Sequence, residues 1–339
     1  MKTHKIRGNT NDSLILINEK LENLQQYIRG KRVVIITDTN VKALYHNKYP
    51  ECNVITIRTG EKIKTFETIQ YIIDELVKIE ADRSFYIVGI GGGIVCDITG
   101  FVASIYMRGL KFGFVSTTLL SQVDASVGGK NGVNYAGYKN MIGVFNQPEF
   151  VICDINMLNT LPKKEILCGF AEIVKHAAIA DSDMFSFIEE NHKKALALDR
   201  EIIEKLIFDS VLIKSAIVNK DEKELGERKK LNFGHTIGHA LEKITGIPHG
   251  EAVSAGMIAA SELSIKHRLL SPEDGKRIKS LLENLKLPTR IPADKEKILR
   301  AMRKDKKRQG NIIDFVLLQG IGKAVIREIS IEELDSTVL

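Results

Sequence analysis

Apolar positions in the first 155 residues follow two alternating periods. Five short runs rich in β-branched and other apolar residues have the pattern of buried strands: RVVIITD, NVITIR, FYIVGIG, FGFVST and FVICD. Between the second and third runs, a helical spacing relates the apolar residues Phe66, Ile69, Ile72, Ile73, Leu76 and Val77. Strands that alternate with helices predict an α/β N-terminal domain over residues 1–155, with a Rossmann-like, doubly wound parallel sheet.

The pattern changes after about residue 155. From Lys163 to Lys304 one helical pattern follows another, and prolines interrupt the run at positions 248, 272, 288 and 292. Near the end, IIDFVLLQGIGKAVIREI predicts a β-hairpin that turns at its glycines. We therefore expect a mainly α-helical C-terminal domain over residues 156–339, without internal repeats.

Composition excludes several classes of protein. The 339 residues are 44% hydrophobic, which is ordinary for a soluble globular chain of two domains. No run of eighteen apolar residues occurs and no apolar segment follows the N-terminal charges, so we expect a cytoplasmic protein without membrane span or secretory signal. The four cysteines lack C-x-x-C spacing, which argues against disulfides and a cysteine-type zinc site. The net charge of +6 is spread along the chain without a nucleic-acid recognition motif. An anionic small molecule explains this charge as well as nucleic acid does, and for most of the lysines a solvated surface is the better explanation.

A glycine-rich turn follows the third predicted strand. In FYIVGIGGGIVCDITGFVA the strand leads into a helix that carries Asp97, and glycines there let the backbone approach a pyrophosphate at the helix N-terminus. The spacing is not G-x-G-x-x-G, so a tight packing turn explains this segment equally well. The same carboxyl edge of the sheet, where such sheets bind ligands, would carry Glu61, Lys64, Thr117 and Thr118.

The segment DASVGGKNGVNYAGYKN, residues 124–140, is too rich in glycine for a helix and too polar for a core strand. We predict a loop. Its two cations and two amides, Lys130, Lys139, Asn134 and Asn140, suit a phosphate or a carboxylate. A solvated turn is the alternative, and we favour the functional interpretation because long ordered loops in compact domains usually bind ligands.

Three of the eight histidines fall between residues 235 and 249. His235 and His239 are four residues apart, which places them on one face of a helix, and His249 could return from the start of the next helix. Spacing alone favours the first two as metal ligands, although the glutamate of H-E-x-x-H is absent. The residues by themselves leave the choice of ligands open.

A carboxylate is available to complete such a site. Glu172 in FAEIVKHAAIA is a plausible oxygen ligand, and Lys175 and His176 would share its helix face. A catalytic divalent metal needs about three protein ligands and an open position for a substrate oxygen. The cluster therefore favours function over a structural role for these histidines.

Six separated motifs resemble the 3-dehydroquinate synthase family: GGGIVCDITGFVASIYMRG, TTLLSQVDASVGGKNGVN, KNMIGVFNQP, TLPKKEILCGFAEIVKH, ERKKLNFGHTIGHALE and HGEAV. They cover roughly residues 30 to 320 in the family's order. The resemblance implies a homodimeric lyase of the shikimate pathway that uses NAD and one divalent metal, zinc or cobalt. Its substrate would be a phosphorylated sugar acid, 3-deoxy-D-arabino-heptulosonate 7-phosphate. Transient oxidation at carbon 5, loss of phosphate, reduction, ring opening and an aldol closure would yield 3-dehydroquinate.

The resemblance also implies residue roles. The metal ligands would be Glu172, His235 and His249, and His239 would face the substrate. Arg228 would bind the substrate carboxylate, and Arg108 would reach the phosphate of a neighbouring subunit. The remaining substrate contacts would be Asp124, Lys130, Asn140, Lys175, Lys214, Asn232 and Lys306. The cofactor would be bound by Asp38, Glu61, Lys64, Gly92, Gly93, Asp97, Thr117, Thr118, Lys130, Lys139, Leu158 and Thr160.

The chain departs from the family pattern at two places near the cofactor loop. Ser116 stands where proline is common, and Asn131 follows GGK where threonine is usual. Neither change removes a charged site residue, but both allow a divergent subfamily.

Other functions compete with this prediction. The nearest are other sugar phosphate cyclases, 2-deoxy-scyllo-inosose synthase and 2-epi-5-epi-valiolone synthase, and then a metal-dependent polyol dehydrogenase. Arg228, Asn232 and His239 together favour the dehydroquinate branch, because a substrate without a carboxylate has less use for Arg228. A non-catalytic nucleotide- and metal-binding scaffold is disfavoured because every expected charged position is filled.

Overall fold

The computed structural model describes residues 1–8, 11–292, 294–303, 308–309, 312–330 and 332–334. These residues form two compact units, Met1–Leu161 and Pro162–Leu339. No helix in the described part of the chain is both long enough and apolar enough to cross a membrane.

The first unit is an α/β domain. Its strands are β1 Lys2–Ile6, β2 Ser13–Ile17, β3 Arg32–Asp38, β4 Asn53–Ile57, β5 Phe85–Gly91, β6 Lys111–Ser116, β7 Lys130–Tyr135, β8 Tyr138–Phe145 and β9 Phe150–Cys153. Its α-helices are α1 Leu24–Tyr27, α2 Thr39–Tyr45, α3 Phe66–Lys78 and α4 Gly93–Ile105. The five strands expected from the apolar runs are confirmed as β3, β4, β5, β6 and β9.

Seven of the described strands form one sheet in the order β1-β2-β9-β6-β5-β3-β4. All neighbours in it are parallel except β1, which pairs antiparallel with β2 at the edge. The strands β1 and β2 were not predicted, because SLILI is short and its neighbours in sequence are polar. Every residue of β5 is buried, as expected for a central strand covered on both faces.

The strand order reverses between β3 and β5. From β3 the chain passes through α2 to β4 on one side, and then through α3 back to β5 on the other. The helix α3 confirms the predicted periodicity by burying Ile69, Ile72 and Leu76. The carboxyl ends of β3 and β5 therefore meet at a topological switch point, the usual ligand site of open α/β sheets.

The predicted loop over residues 124–140 is wrong. A short π-helix covers Ser121–Ala125, and β7 and β8 form an antiparallel hairpin that pairs Gly132 with Gly143. A Cβ atom at Gly132 would lie 2.4 Å from the carbonyl oxygen of Ile142. The glycines therefore permit close backbone approach between paired strands, which a composition-based argument interprets as a loop.

The second unit is mainly helical. Its α-helices are α5 Lys163–Ala180, α6 Ser182–Leu196, α7 Arg200–Lys220, α8 His235–Thr245, α9 His249–Lys266, α10 Pro272–Asn284 and α11 Lys295–Arg303. Its strands are β10 Arg308–Gln309, β11 Ile312–Leu318 and β12 Ala324–Ser330. Antiparallel pairing of β11 with β12 confirms the predicted hairpin.

Candidate functional site

Glycines allow three helices of the second unit to approach closely. A Cβ atom at Gly256 of α9 would lie 2.0 Å from the carbonyl oxygen of Gly234, the residue that precedes α8. One at Gly250, in the first turn of α9, would lie 2.4 Å from the Cα of Cys168 in α5. Only glycine fits at such approaches, and the resulting packing brings side chains of α5, α8 and α9 together.

A cluster of three metal-ligating side chains results. Oε1 of Glu172 in α5 lies 3.5 Å from Nε2 of His235 and 3.4 Å from Nε2 of His249. The His249 residue begins α9, as predicted. The side chain of Glu172 has no solvent exposure, and the ammonium of Lys175 in the same helix compensates part of its charge.

The spacing of this cluster fits a divalent metal. Tetrahedral zinc bonds to nitrogen and oxygen of about 2.0–2.1 Å place neighbouring ligand atoms about 3.3–3.4 Å apart. The observed contacts of Glu172 with the two imidazoles have nearly this length. Two imidazoles and one carboxylate also match the ligand set of catalytic sites that keep a position open for substrate.

Both imidazoles have an acceptor beside the ring nitrogen that points away from Glu172. Nδ1 of His235 lies 3.1 Å from the carbonyl oxygen of Phe233, and Nδ1 of His249 lies 3.4 Å from Oε2 of Glu242. Burial opposes protonation of His249, yet the carboxylates of Glu172 and Glu242 outweigh it and raise the pKa of the ring to about 9. Metal binding at neutral pH would therefore release a proton from His249.

His239 lies beside the cluster and is half-buried. Its ring centroid is 5.2 Å from that of His235 and 6.1 Å from that of His249. One turn of α8 separates it from His235, as the helical spacing predicts. The structure thus brings all three histidines of the motif into one group.

Three cations predicted to bind substrate are buried in this unit. Lys175 of α5 pairs with Glu172, and Lys214 of α7 and Arg228 are 6% and 1% exposed. Arg228 lies in a 3-10 helix, Glu227–Asn232, and donates from Nη1 to the carbonyl oxygen of Glu222. Buried cations are costly unless anions or dipoles compensate them, and the carboxylate of Glu172 does so for Lys175.

Asn232 ends the same 3-10 helix. Its Nδ2 donates to Oε1 of Glu224 at 2.7 Å, and Glu224 has a positive φ of 60°. A non-glycine residue at positive φ is uncommon and is often part of a functional site. Glu224 is therefore a further candidate site residue, and no motif in the sequence indicates it.

In the first unit, the glycine-rich turn joins β5 to α4. Gly92 is the N-cap residue of the thirteen-residue helix α4 and, as a glycine, has no side chain with which to cap it. A Cβ atom at Gly92 would lie 2.8 Å from Cγ2 of Thr118, and one at Gly93 would lie 2.9 Å from Cβ of Ala125. The turn is thus a tight packing turn that leads into a helix N-terminus, and its binding of a phosphate stays a prediction.

Lys64 connects several predicted cofactor residues. Its ammonium is buried and contacts the carboxylate of Asp97 and Oδ1 of Asn140. Asn134, on β7, donates from Nδ2 to Oε1 of Glu61 at 2.8 Å and accepts from the backbone N–H of Asn140 at 2.9 Å. The hairpin is therefore tied to the turn after β4, and Asn134 serves that connection.

The remaining predicted residues lie at the ends of secondary-structure elements. At the end of β3, Asp38 caps α2 by accepting from two backbone N–H groups. Thr160 in the 3-10 helix Ile155–Thr160 lies 2.5 Å from the hydroxyl of Tyr45, and Leu158 in that helix is buried. Other positions are Thr117 and Thr118 after β6, Asp124 in the π-helix, Lys130 and Lys139 on the hairpin, and Arg108 after α4. Lys306 lies outside the described residues.

Comparison with known proteins assigns the chain to a family. The 3-dehydroquinate synthase N-terminal domain matches residues 54–168, and the C-terminal domain of the same enzyme matches residues 169–308. The chain belongs to the 3-dehydroquinate synthase family. Named 3-dehydroquinate synthases from Nitrosomonas europaea and Sulfurovum are 40% and 41% identical to it, over 90% and 94% of this chain and 86% and 92% of theirs. It is therefore an enzyme of this family, as the motifs predicted.

Solved structures share the complete fold. A 2-deoxy-scyllo-inosose synthase complexed with carbaglucose-6-phosphate, NAD+ and Co2+ has a TM-score of 0.90 and 25% identity, covering 99% of this chain and 98% of that chain. A 2-epi-5-epi-valiolone synthase from Streptomyces hygroscopicus, with NAD+ and Zn2+ bound, has a TM-score of 0.89 and 23% identity, covering 100% and 98%. An iron-containing alcohol dehydrogenase from Thermotoga maritima has a TM-score of 0.65 at 17% identity, covering 98% and 97%. The fold class predicted from the sequence is confirmed.

Replacing Gly250 with alanine should destabilise the second unit. The new methyl group would overlap with the backbone of Cys168. Overpacking of this kind typically lowers the free energy of unfolding by about 1–3 kcal/mol. Because His249 is the preceding residue, its contact with Glu172 should lengthen and metal affinity should fall. Thermal unfolding and metal titration measure the two effects.

Gly275→Ala is the matched control. A Cβ atom there would meet the Cδ1 end of the Ile265 side chain, which can rotate away, and alanine favours a helix over glycine by about 1 kcal/mol. This variant should be as stable as the wild type or slightly more stable. Equal unfolding temperatures for Gly250→Ala and the wild type would contradict the packing argument.

Proposed function

We propose that this chain is a 3-dehydroquinate synthase, a phosphate-eliminating lyase of the shikimate pathway, and hence of chorismate and aromatic amino acid biosynthesis. Its substrate is 3-deoxy-D-arabino-heptulosonate 7-phosphate, and its products are 3-dehydroquinate and phosphate. The observation that carries the proposal is the cluster of Glu172, His235 and His249 in a chain about 40% identical to named 3-dehydroquinate synthases. The enzyme acts in the cytoplasm.

One divalent metal is held by Glu172, His235 and His249. Zinc and cobalt are the candidates, because the two cyclase neighbours contain Co2+ and Zn2+. When bound, such an ion polarises substrate oxygens and stabilises negative charge on them. Glu172 supplies the anionic ligand, and the acceptors beside Nδ1 of the two histidines direct each Nε2 toward the site.

NAD is held by the first unit at the switch point between β3 and β5. Gly92 and Gly93 place the N-terminus of α4 beside its pyrophosphate, and Lys64, fixed by Asp97, presents a buried cation nearby. NAD held there would supply reversible hydride transfer. The other cofactor residues keep the predicted roles: Asp38, Glu61, Thr117, Thr118, Lys130, Lys139, Leu158 and Thr160.

Arg228 favours the dehydroquinate branch over the other cyclases. Its planar guanidinium suits bidentate binding of a carboxylate, and the side chain is buried with Nη1 anchored on the carbonyl oxygen of Glu222. His239 is the proton carrier beside the histidine cluster, because an imidazole changes its charge near neutral pH. Substrate contacts are further made by Asp124, Lys130, Asn140, Lys175, Lys214, Asn232 and Lys306.

The direct test incubates the purified protein with the heptulosonate phosphate, catalytic NAD and Co2+ or Zn2+. Phosphate release, product mass and absorbance of NADH are followed together. Stoichiometric phosphate and a cyclic product without net NADH support the proposal. Turnover of glucose 6-phosphate or sedoheptulose 7-phosphate instead would assign the chain to another cyclase branch, and net NADH from a simple polyol would assign it to the dehydrogenases.

The active species is a homodimer. The end of α4, the turn that follows it and the strand β8 expose five apolar side chains: Ile105, Met107, Tyr138, Met141 and Phe145. Exposed apolar surface of this kind marks protein interfaces. Arg108 follows Met107, is exposed, and has a positive φ of 68°, so it is held in a strained conformation in the same turn.

Mixed dimers test whether Arg108 serves the neighbouring subunit. Arg108→Ala and Lys130→Ala chains should each be inactive alone. Random mixing should restore about one quarter of wild-type activity, because half of the dimers are mixed and one of their two sites is intact. Mixing Arg108→Ala with the Arg108→Ala, Lys130→Ala double variant should restore nothing. No recovery in confirmed mixed dimers would contradict the shared site.

A further inference from the structure

Glu242 lies at the edge of the metal-ligating cluster, on the same face of α8 as His235 and His239. Its Oε2 is 3.4 Å from Nδ1 of His249, and its side chain is only 13% exposed. An ionised carboxylate can only accept hydrogen bonds, so Nδ1 of His249 carries the hydrogen and donates it. In the neutral form of the ring, which is the form that binds a metal, the lone pair is then on Nε2, the atom 3.4 Å from Glu172.

Two interpretations of Glu242 compete. Ligand atoms of His239, Glu242 and His249 all lie within 4.8 Å of one another, as those of Glu172, His235 and His249 do, so a second ion is conceivable. However, His249 belongs to both groups, and a neutral imidazole whose Nδ1 donates to a carboxylate has no lone pair there for a second ion. The hydrogen bond therefore favours one ion, with Glu242 outside its ligand set.

We propose that Glu242 is a positioning residue that orients His249 and increases the electron density of its Nε2 for the metal. The proposal rests on the metal centre proposed above. Hydrogen bonds from ligand imidazoles to carboxylates fix the ring orientation and raise its basicity. The contact also crosses the turn between α8 and α9, so it holds the first residue of α9 against α8.

The two histidines differ in this respect. Nδ1 of His235 is satisfied by a backbone carbonyl oxygen, that of Phe233, which no substitution removes. Nδ1 of His249 depends on a side chain, and the metal affinity is therefore open to substitution at position 242. Glu242 follows His235 by seven residues and His239 by three, so helical periodicity alone places it on the ligand face.

The test uses the purified full chain, freed of metal with a chelator and titrated with Co2+ alone. Affinity is measured by chelator competition, stoichiometry by Co2+ content, and ligand geometry by the visible absorption of bound Co2+. Glu242→Ala should bind Co2+ about 10- to 100-fold more weakly than the wild type, with an altered spectrum. Glu242→Gln should lose less, because its amide oxygen still accepts the hydrogen bond; it also carries the test if the alanine variant does not fold.

Glu262→Gln is the matched control, since it makes the same change of charge at an exposed position of α9. It should bind Co2+ like the wild type. A purely structural role for Glu242 would lower the unfolding temperature of the metal-free chain and leave the Co2+ spectrum unchanged, which would overturn the proposal. Wild-type affinity in Glu242→Ala, or two Co2+ ions per chain, would overturn it as well. If the wild type itself binds no Co2+, the metal centre and this inference fail together.

Discussion

Replacing His235 with alanine should remove bound metal and catalytic activity together. Nε2 of His235 is one of two imidazole nitrogens in contact with the buried Oε1 of Glu172. Without it, one imidazole and one carboxylate remain, fewer than the three protein ligands of a catalytic zinc site. The loss of affinity should exceed the roughly 10- to 100-fold effect of removing an outer partner. Metal content after dialysis and phosphate release from the heptulosonate phosphate measure the two losses.

His192→Ala is the control for this prediction. His192 lies on α6 of the same unit, and its Nδ1 is hydrogen-bonded to the carbonyl oxygen of Glu189. That substitution removes an imidazole without touching the cluster, so metal content and activity should stay at wild-type levels. Normal metal content in His235→Ala would refute its role as a ligand, whatever happens to activity.

Replacing Arg228 with lysine should weaken substrate binding strongly while metal content stays normal. The guanidinium of Arg228 is 1% exposed and anchored by Glu222, which leaves a planar donor group in a fixed orientation. A lysine ammonium preserves the charge but cannot make two parallel hydrogen bonds to a carboxylate. Disrupting a buried, hydrogen-bonded charge pair costs about 2–5 kcal/mol. Steady-state kinetics should therefore show kcat/KM reduced by about 30-fold or more.

Arg277→Lys is the control, because it makes the same substitution at an arginine that binds a carboxylate outside the candidate site. Arg277 makes a two-pronged contact with Glu189, from Nε to Oε1 and from Nη2 to Oε2, on a partly exposed surface. Its loss should change stability by no more than about 1 kcal/mol and should leave kcat/KM unchanged. Unchanged kcat/KM in Arg228→Lys would remove Arg228 from the carboxylate site and reopen the comparison with cyclases of uncharged sugars.

Local sequence determined most of the architecture. The strands β3, β5 and β9 and the helix α3 are specified by the period of their apolar residues, because each buries a face whose spacing depends on local geometry alone. The same holds for the hairpin of β11 and β12. The edge strand β1 and its neighbour β2 were missed because short segments with polar neighbours carry little periodic signal.

The candidate site is different, because its residues come from distant parts of the chain. The spacing within the histidine motif favoured His235 with His239, whereas the resemblance to a family implied Glu172, His235 and His249. The fold brings the latter three together because Gly250 and Gly256 let α9 approach α5 and the start of α8 closely. A Cβ atom at either glycine would overlap with the neighbouring backbone. In the sequence alone, such a glycine indicates a flexible backbone and not a close contact between helices.

The hairpin of β7 and β8 shows the same limit. Its glycines and amides predict a loop, but Gly132 and Gly143 pair across two strands and Asn134 ties the hairpin to Glu61. The sequence by itself determined the elements and the chemical types available to a site. The tertiary structure decided which side chains meet, because close packing between distant segments, and not local periodicity, sets those distances.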